Sequence, residues 1–110
     1  MARDRVTPDL HRRVVQRDGC LAARYDRRHE CRDAFGQVHG PWALERLTVD
    51  HVKDDLMLGR RAPSDEYHLV GMCHAANVGV PDRGLRAFER EYLLGIRARH
   101  QREAARGDVS

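Results

Sequence analysis

The chain has 110 residues, enough for one domain with a modest core. Charged residues make up 34% and aromatics 5%, and the net charge is +3. No apolar run reaches the ~20 residues that cross a bilayer, and the charged start Met1-Ala2-Arg3-Asp4-Arg5 lacks the apolar segment of a secretory signal. The expectation is a non-membrane, intracellular (cytoplasmic) protein whose three Cys stay reduced; an odd count also argues against a disulfide framework. Lys53 is the only Lys among the 20 basic residues. Arginine presents a planar fork that suits phosphate, although a basic balance by itself is weak support for nucleic acid.

Thr7-Pro8-Asp9 is a helix start: Thr7 caps, Pro8 fits the first turn and Asp9 suits the positive end. Leu10 and Val14 form an apolar face, and Gly19 ends the helix, so about residues 8–18 are helical. Arg12, Arg13 and Arg17 read as a solvated face of a packing helix. From Cys20 to Gly40 there is no clean period. Tyr25 and Phe35 are candidate core anchors. One reading of this stretch is an irregular zinc knuckle with Cys20, Cys31, Cys73 and one His as ligands. The other is that these cysteines are small buried hydrophobes and that His29 and His39 are surface or hydrogen-bonded residues rather than ligands. Pro41 to Arg46 is a connector with room for one helical turn, and Trp42 is expected to pack on the core.

Leu47 to Val52 is a β-branched strand ending in Asp50-His51. On a regular strand Leu47, Val49 and His51 share one face and Asp50 takes the other. Bringing Asp50 and His51 to one phosphate therefore calls for a bend or bulge there. Lys53 to Asp65 is a long loop, and Lys53, Arg60 and Arg61 in it are candidate DNA-phosphate contacts, with simple solubility as the alternative. A second strand is centred on His68-Leu69-Val70, and a short helix runs from Cys73 to Val78 and stops at Gly79. His74 and Asn77, three apart, share a face of it. A last helix starts at Pro81-Asp82 and runs to about residue 104, with Leu85, Phe88, Tyr92 and Ile96 as its core stripe and a fraying polar end. Asp, His, His and Asn on a hairpin plus helix suit one divalent cation held beside a proton acceptor, which is hydrolytic phosphate chemistry.

Val49-Asp50-His51 followed by His68-Leu69-Val70-x-Met72-Cys73-x-x-x-Asn77 resembles the HNH endonucleases, whose ββα-metal fold has this order. With Arg17-Asp18-Gly19-Cys20, His29-Glu30-Cys31-Arg32-Asp33 and Arg61-Ala62-Pro63-Ser64-Asp65, it is most similar to the small HNH proteins of actinobacterial phages, over roughly Thr7 to Leu94. The resemblance implies His51 as the general base and Asp50 as a metal ligand. It implies His68, where many members have Asn, as a residue that orients the base or buttresses the loop. It implies Asn77, where many have the closing His, as the second metal ligand, with His74 as its rival. Many members carry Cys-x-x-Cys pairs for zinc; here Ala76 breaks that pattern after Cys73.

The expected fold is thus α+β: a small single domain over 1–110, its hairpin-helix core at about 44–80 flanked by an N-terminal and a longer C-terminal helix. The expected function is a metal-dependent DNA endonuclease using Mg²⁺ or Mn²⁺, with a structural Zn²⁺ as a separate question. The resemblance also implies nicked products with 5′-phosphate and 3′-hydroxyl ends, and a link to terminase or other phage packaging proteins inside an infected bacterial host. The alternative is a non-catalytic nucleic-acid or packaging-complex binding module on the same scaffold. A third reading is a small zinc-stabilised structural protein.

Overall fold

The computed structural model describes residues 5–53, 63–79 and 82–107, and they form a small α+β fold with two separate two-stranded antiparallel sheets. Helix α1 spans Pro8–Asp18; the Thr7 hydroxyl accepts the N–H of Leu10, and Gly19 closes it. Gly19 has a φ of 61°, and a Cβ there would press on the Pro41 carbonyl and the Trp42 ring, so glycine is required twice over. Helix α2 (Leu21–Tyr25) follows at once. Strands β1 (Cys31–Arg32) and β2 (Val38–His39) make a miniature hairpin, and a 3₁₀ turn at Leu44–Arg46 leads to β3 (Leu47–His51). Strand β4 (Leu69–Cys73) pairs with β3, α3 (His74–Val78) follows without a loop, and α4 (Arg83–Gly107) is the last element among the described residues. Among the described residues no helix is long and apolar enough to cross a membrane.

Strand β4 is buried along its whole length, and the two faces of the β3–β4 hairpin are covered differently. Leu10 and Val14 of α1 pack with Leu69 and Val49 on one face. Val70 and Met72 join Leu21, Leu93 and Ile96 in the larger cluster on the other. Gly71 lets α1 come close, since a Cβ there would collide with the Gly19 carbonyl. The apposition is locked by Asp18, which is fully buried. Its carboxylate accepts from Gly71 N at 2.9 Å, from the Tyr92 hydroxyl and from Arg17, whose guanidinium also donates to the carbonyls of Glu66 and Leu69 at 2.7 Å each. One carboxylate thereby ties α1, β4 and α4 together.

Several expectations from sequence need correction. Phe35 is 90% exposed at the tip of the β1–β2 hairpin, where Asp33 rather than the ring organises the turn through the N–H groups of Phe35 and Gln37. Trp42 is half exposed and is covered by the Arg24 guanidinium, 5.2 Å from the ring, instead of by the core. Tyr25 is also partly exposed, at 42%, and leans on Phe88. On α4 the expected stripe does pack on the core, with Ile96 buried and Leu85, Phe88 and Tyr92 half buried against it, but Glu89 and Leu93 are deep as well, so the buried face also holds a carboxylate. The polar end of α4 continues as helix to Gly107; within it Arg97 and His100 anchor on Tyr67, which bonds His100 at 3.1 Å.

Replacing Asp18 by Ala strands the largely buried Arg17 charge and the Gly71 N–H. It should cost roughly 3–5 kcal/mol, whereas Tyr92→Phe, which removes one hydrogen bond to the same carboxylate, should cost about 1–3 kcal/mol. Urea-unfolding midpoints of the two variants check the order and the gap.

Candidate functional site

Two clusters of chemically active side chains lie at the hairpin. The first joins four segments that are far apart in sequence. Cys20 caps the start of α2, His29 follows a turn stabilised by Asp26, Cys31 opens β1, and Cys73 ends β4 and caps α3. Their ligand atoms, three Sγ and one imidazole nitrogen, all lie within 4.8 Å of one another. His29 Nε2 is 3.2 Å from Cys73 Sγ. Cys73 N donates to Cys20 Sγ at 3.3 Å, and Ala76 N donates to Cys73 Sγ at 3.4 Å. Ligands of a tetrahedral zinc stand roughly 3.4–3.8 Å apart, given bond lengths of about 2.3 Å to sulfur and 2.0–2.1 Å to nitrogen. The S₃N donor set is soft, and its cysteines are buried, so the cluster fits a closed structural zinc better than a catalytic or oxygen-seeking metal.

The hydrogen bond with the Cys20 thiol, helped by the N–H groups of Ala76 and Arg32 and by His29, pushes Cys73 down against the opposing effect of burial. The same contact and burial push Cys20 up, and burial pushes Cys31 up. A bound metal would take all three cysteines as thiolates and release their protons. The three cysteines named from sequence do meet, and His29 is the histidine that joins them. His39, across from Cys31 on β2, does not; its Nδ1 faces Gly40 O, and its Nε2 is buried with no hydrogen-bond partner among the described residues.

The second cluster lies on the α3–α4 face of β3. Asn77 of α3 donates to Thr48 Oγ1 at 2.9 Å and to Val49 O at 3.1 Å, while Thr48 Oγ1 donates onward to Met72 O at 2.8 Å. Because Val49 O only accepts, this network fixes which end of the Asn77 amide is nitrogen. Its NH₂ is spent on the strand, and Oδ1 is the atom left for a cation. Asp50 shares the Thr48 face, two residues on. It pairs with Arg86 of α4, and the same Arg86 nitrogen reaches Glu89 at 3.0 Å. Glu89, fully buried, is the residue that sequence reasoning missed: inside a polar helix it looks like one more surface charge.

The register Asp50↔Val70 and His51↔Leu69 is regular, so the bulge expected at Asp50-His51 is absent. His51 therefore turns to the opposite side, exposed at the strand end, with Nε2 2.9 Å from Ser64 Oγ. His68 is buried and bonds Asp65 Oδ1 at 2.8 Å through Nδ1, and its carbonyl accepts Val52 N, so it ties the returning loop to the end of β3. His74 is half buried at the first turn of α3. Lys53 is exposed just past β3; Arg60 and Arg61 lie outside the described residues. Comparison with protein-family models, curated proteins and solved structures finds no match.

Burial pushes the Glu89 carboxyl from its ordinary 4.5 up to about 7; Arg86 opposes this and Asp50 adds repulsion. The folded protein then keeps a proton that the unfolded chain releases, so stability should fall as pH rises from about 4.5 to about 7 and level off above. Glu89→Gln should abolish that slope, a change on the order of 2 kcal/mol. Urea midpoints at about pH 5 and about pH 8, without added divalent cation, measure it.

Proposed function

We propose that the chain is a metal-dependent DNA endonuclease of the HNH type, and that zinc bound by Cys20, His29, Cys31 and Cys73 holds its hairpin and helix in place. The observation that carries this reading is the ββα order of β3, β4 and α3, with Asn77 laced to β3 at Thr48 and Val49 so that its amide oxygen and the Asp50 carboxylate belong to one face. Two hard oxygen donors with room for water and phosphate suit Mg²⁺ or Mn²⁺. Such a cation, when bound, neutralises the charge that builds on the scissile phosphate and the leaving oxygen.

The protein's own part follows from where its side chains stand. His51 is exposed and hydrogen-bonded through Nε2 to Ser64; in this reading that nitrogen takes the proton of the attacking water. His51 and Asp50 approach from opposite sides of β3, so the phosphate is read at the open end of the hairpin rather than over the sheet. His68, fixed on Asp65, keeps that end in register. Lys53, Arg60 and Arg61 supply phosphate contacts. One site cuts one strand; cutting both requires a second copy or a partner, and the packaging proteins implied by the resemblance are such partners.

A second reading, a nucleic-acid or packaging-complex binding module without catalysis, is favoured by one observation: Asp50 is already neutralised by Arg86. Nicking of supercoiled plasmid separates the two. The nuclease reading predicts nicking with Mg²⁺ or Mn²⁺ that a chelator stops and that His51→Ala slows about 100-fold or more, the scale of a general base. A folded chain that binds DNA and leaves the plasmid intact across these metals is the module instead.

A further inference from the structure

Asp50 and Glu89 come from different elements and meet on one atom. Arg86 Nη1 donates to Asp50 Oδ2 and, at 3.0 Å, to Glu89 Oε2. A single point between β3 and α4 is thus in contact with two carboxylates and is filled by a positive charge. The Glu89 side chain is fully buried, and that of Asp50 is only 12% exposed. With both carboxylates ionised around one guanidinium, this pocket carries a formal charge of −1. Glu89 Oε1 is moreover buried with no hydrogen-bond partner among the described residues. A helix position that only packs would be apolar, as Leu93 and Ile96 are further along the same buried stripe. Burying a carboxylate with one oxygen unsatisfied is costly, and a cation shared with Asp50 at the point Arg86 now fills would offset that cost.

We propose that Asp50 and Glu89 together are the carboxylate ligands of a divalent-cation site, and that Arg86 is its built-in plug. In the metal-free protein the guanidinium holds the two carboxylates together; when the cation enters, the guanidinium leaves. This rests on the nuclease reading for the use made of Asp50, and it adds Glu89 and Arg86, which that reading does not employ. The Arg86 side chain is 36% exposed, so it has water to move into. It stays tethered near the start of α4, and its freed charge is available to an incoming phosphodiester. The oxygen-only donor set selects Mg²⁺, Mn²⁺ or Ca²⁺ over zinc, which keeps this site chemically distinct from the cysteine cluster.

Titrating the whole chain with Mn²⁺ and following free Mn²⁺ by electron paramagnetic resonance, with no DNA present, tests the site apart from any cleavage. Asp50→Asn and Glu89→Gln should each weaken Mn²⁺ binding about tenfold or more, because each removes a charged ligand. Arg86→Gln should bind Mn²⁺ more tightly than the parent chain. It should also melt lower than the parent without metal and gain more from Mn²⁺, since its two carboxylates then lack a counter-charge. Circular dichroism establishes that each variant is folded; if Glu89→Gln is not, Glu89→Asp, which keeps the charge but withdraws the carboxylate by one methylene, is read in its place. Unchanged affinity in the Glu89 variant, weaker binding in Arg86→Gln, or no Mn²⁺ binding by the parent chain at millimolar metal each overturns the proposal. Metal-dependent nicking combined with unaltered Mn²⁺ affinity in Glu89→Gln sinks this inference and leaves the nuclease; Glu89-dependent Mn²⁺ binding without nicking does the reverse.

Discussion

Cys73 is the constraint on which the rest of the molecule depends. Its backbone ends β4, its N–H reaches Cys20, and its sulfur caps α3 while facing His29 within the cluster. Moving it would detach the hairpin from the knuckle of residues 20–39 and α3 from both. A chain of this size with few aromatics has little apolar area to hold such short elements: α2 and α3 have five residues each, and β1 and β2 have two each. None of these would persist alone. A metal bound by Cys20, His29, Cys31 and Cys73, as proposed, would supply the cross-links that the core is too small to provide.

The hairpin then separates two kinds of work. On the α1 face the contacts are apolar and close-packed, with Gly71 admitting the end of α1 and Asp18 pinning it. On the other face, beside the larger apolar cluster, polar and charged groups gather around β3: Thr48, Asn77, Asp50, Arg86 and Glu89. Asp18 and Glu89 are both fully buried carboxylates, yet their surroundings differ. Asp18 is satisfied by a guanidinium, a hydroxyl and a backbone N–H, which is the pattern of a structural lock. Glu89 has one shared guanidinium and an oxygen left over, which is the pattern of a group kept for another partner. That contrast, more than burial itself, is what the proposed cation site rests on.

The parts of the fold governed by local rules were legible in the sequence. Thr7, Pro8 and Gly19 announce α1, the β-branched run at Leu47-Thr48-Val49 announces β3, and Gly79 announces the end of α3. What stayed hidden depends on contacts across the chain. Strands of two residues carry no period, so β1 and β2 were invisible between Cys20 and Gly40. His29 and His39 are indistinguishable by spacing, and only the fold brings one of them to Cys73. Phe35 and Trp42 looked like core because aromatics usually are, but a tight turn and an arginine stack took them elsewhere. Asp18 and Glu89 sit in charged helices, where a buried carboxylate reads as one more solvated residue until its partners are known. Asp50 and His51 were recognisable as a pair, whereas their divergence to opposite faces became definite only with the regular register of β3 against β4.

The scaffold's dependence on the cysteine cluster is tested most directly by zinc K-edge X-ray absorption on the purified chain, beside His29→Ala. The purified chain should hold about one zinc with three sulfurs at about 2.3 Å and one nitrogen at about 2.0–2.1 Å, the nitrogen being lost or replaced by a water oxygen in His29→Ala. A folded chain without zinc, or a spectrum unchanged in His29→Ala, would contradict it.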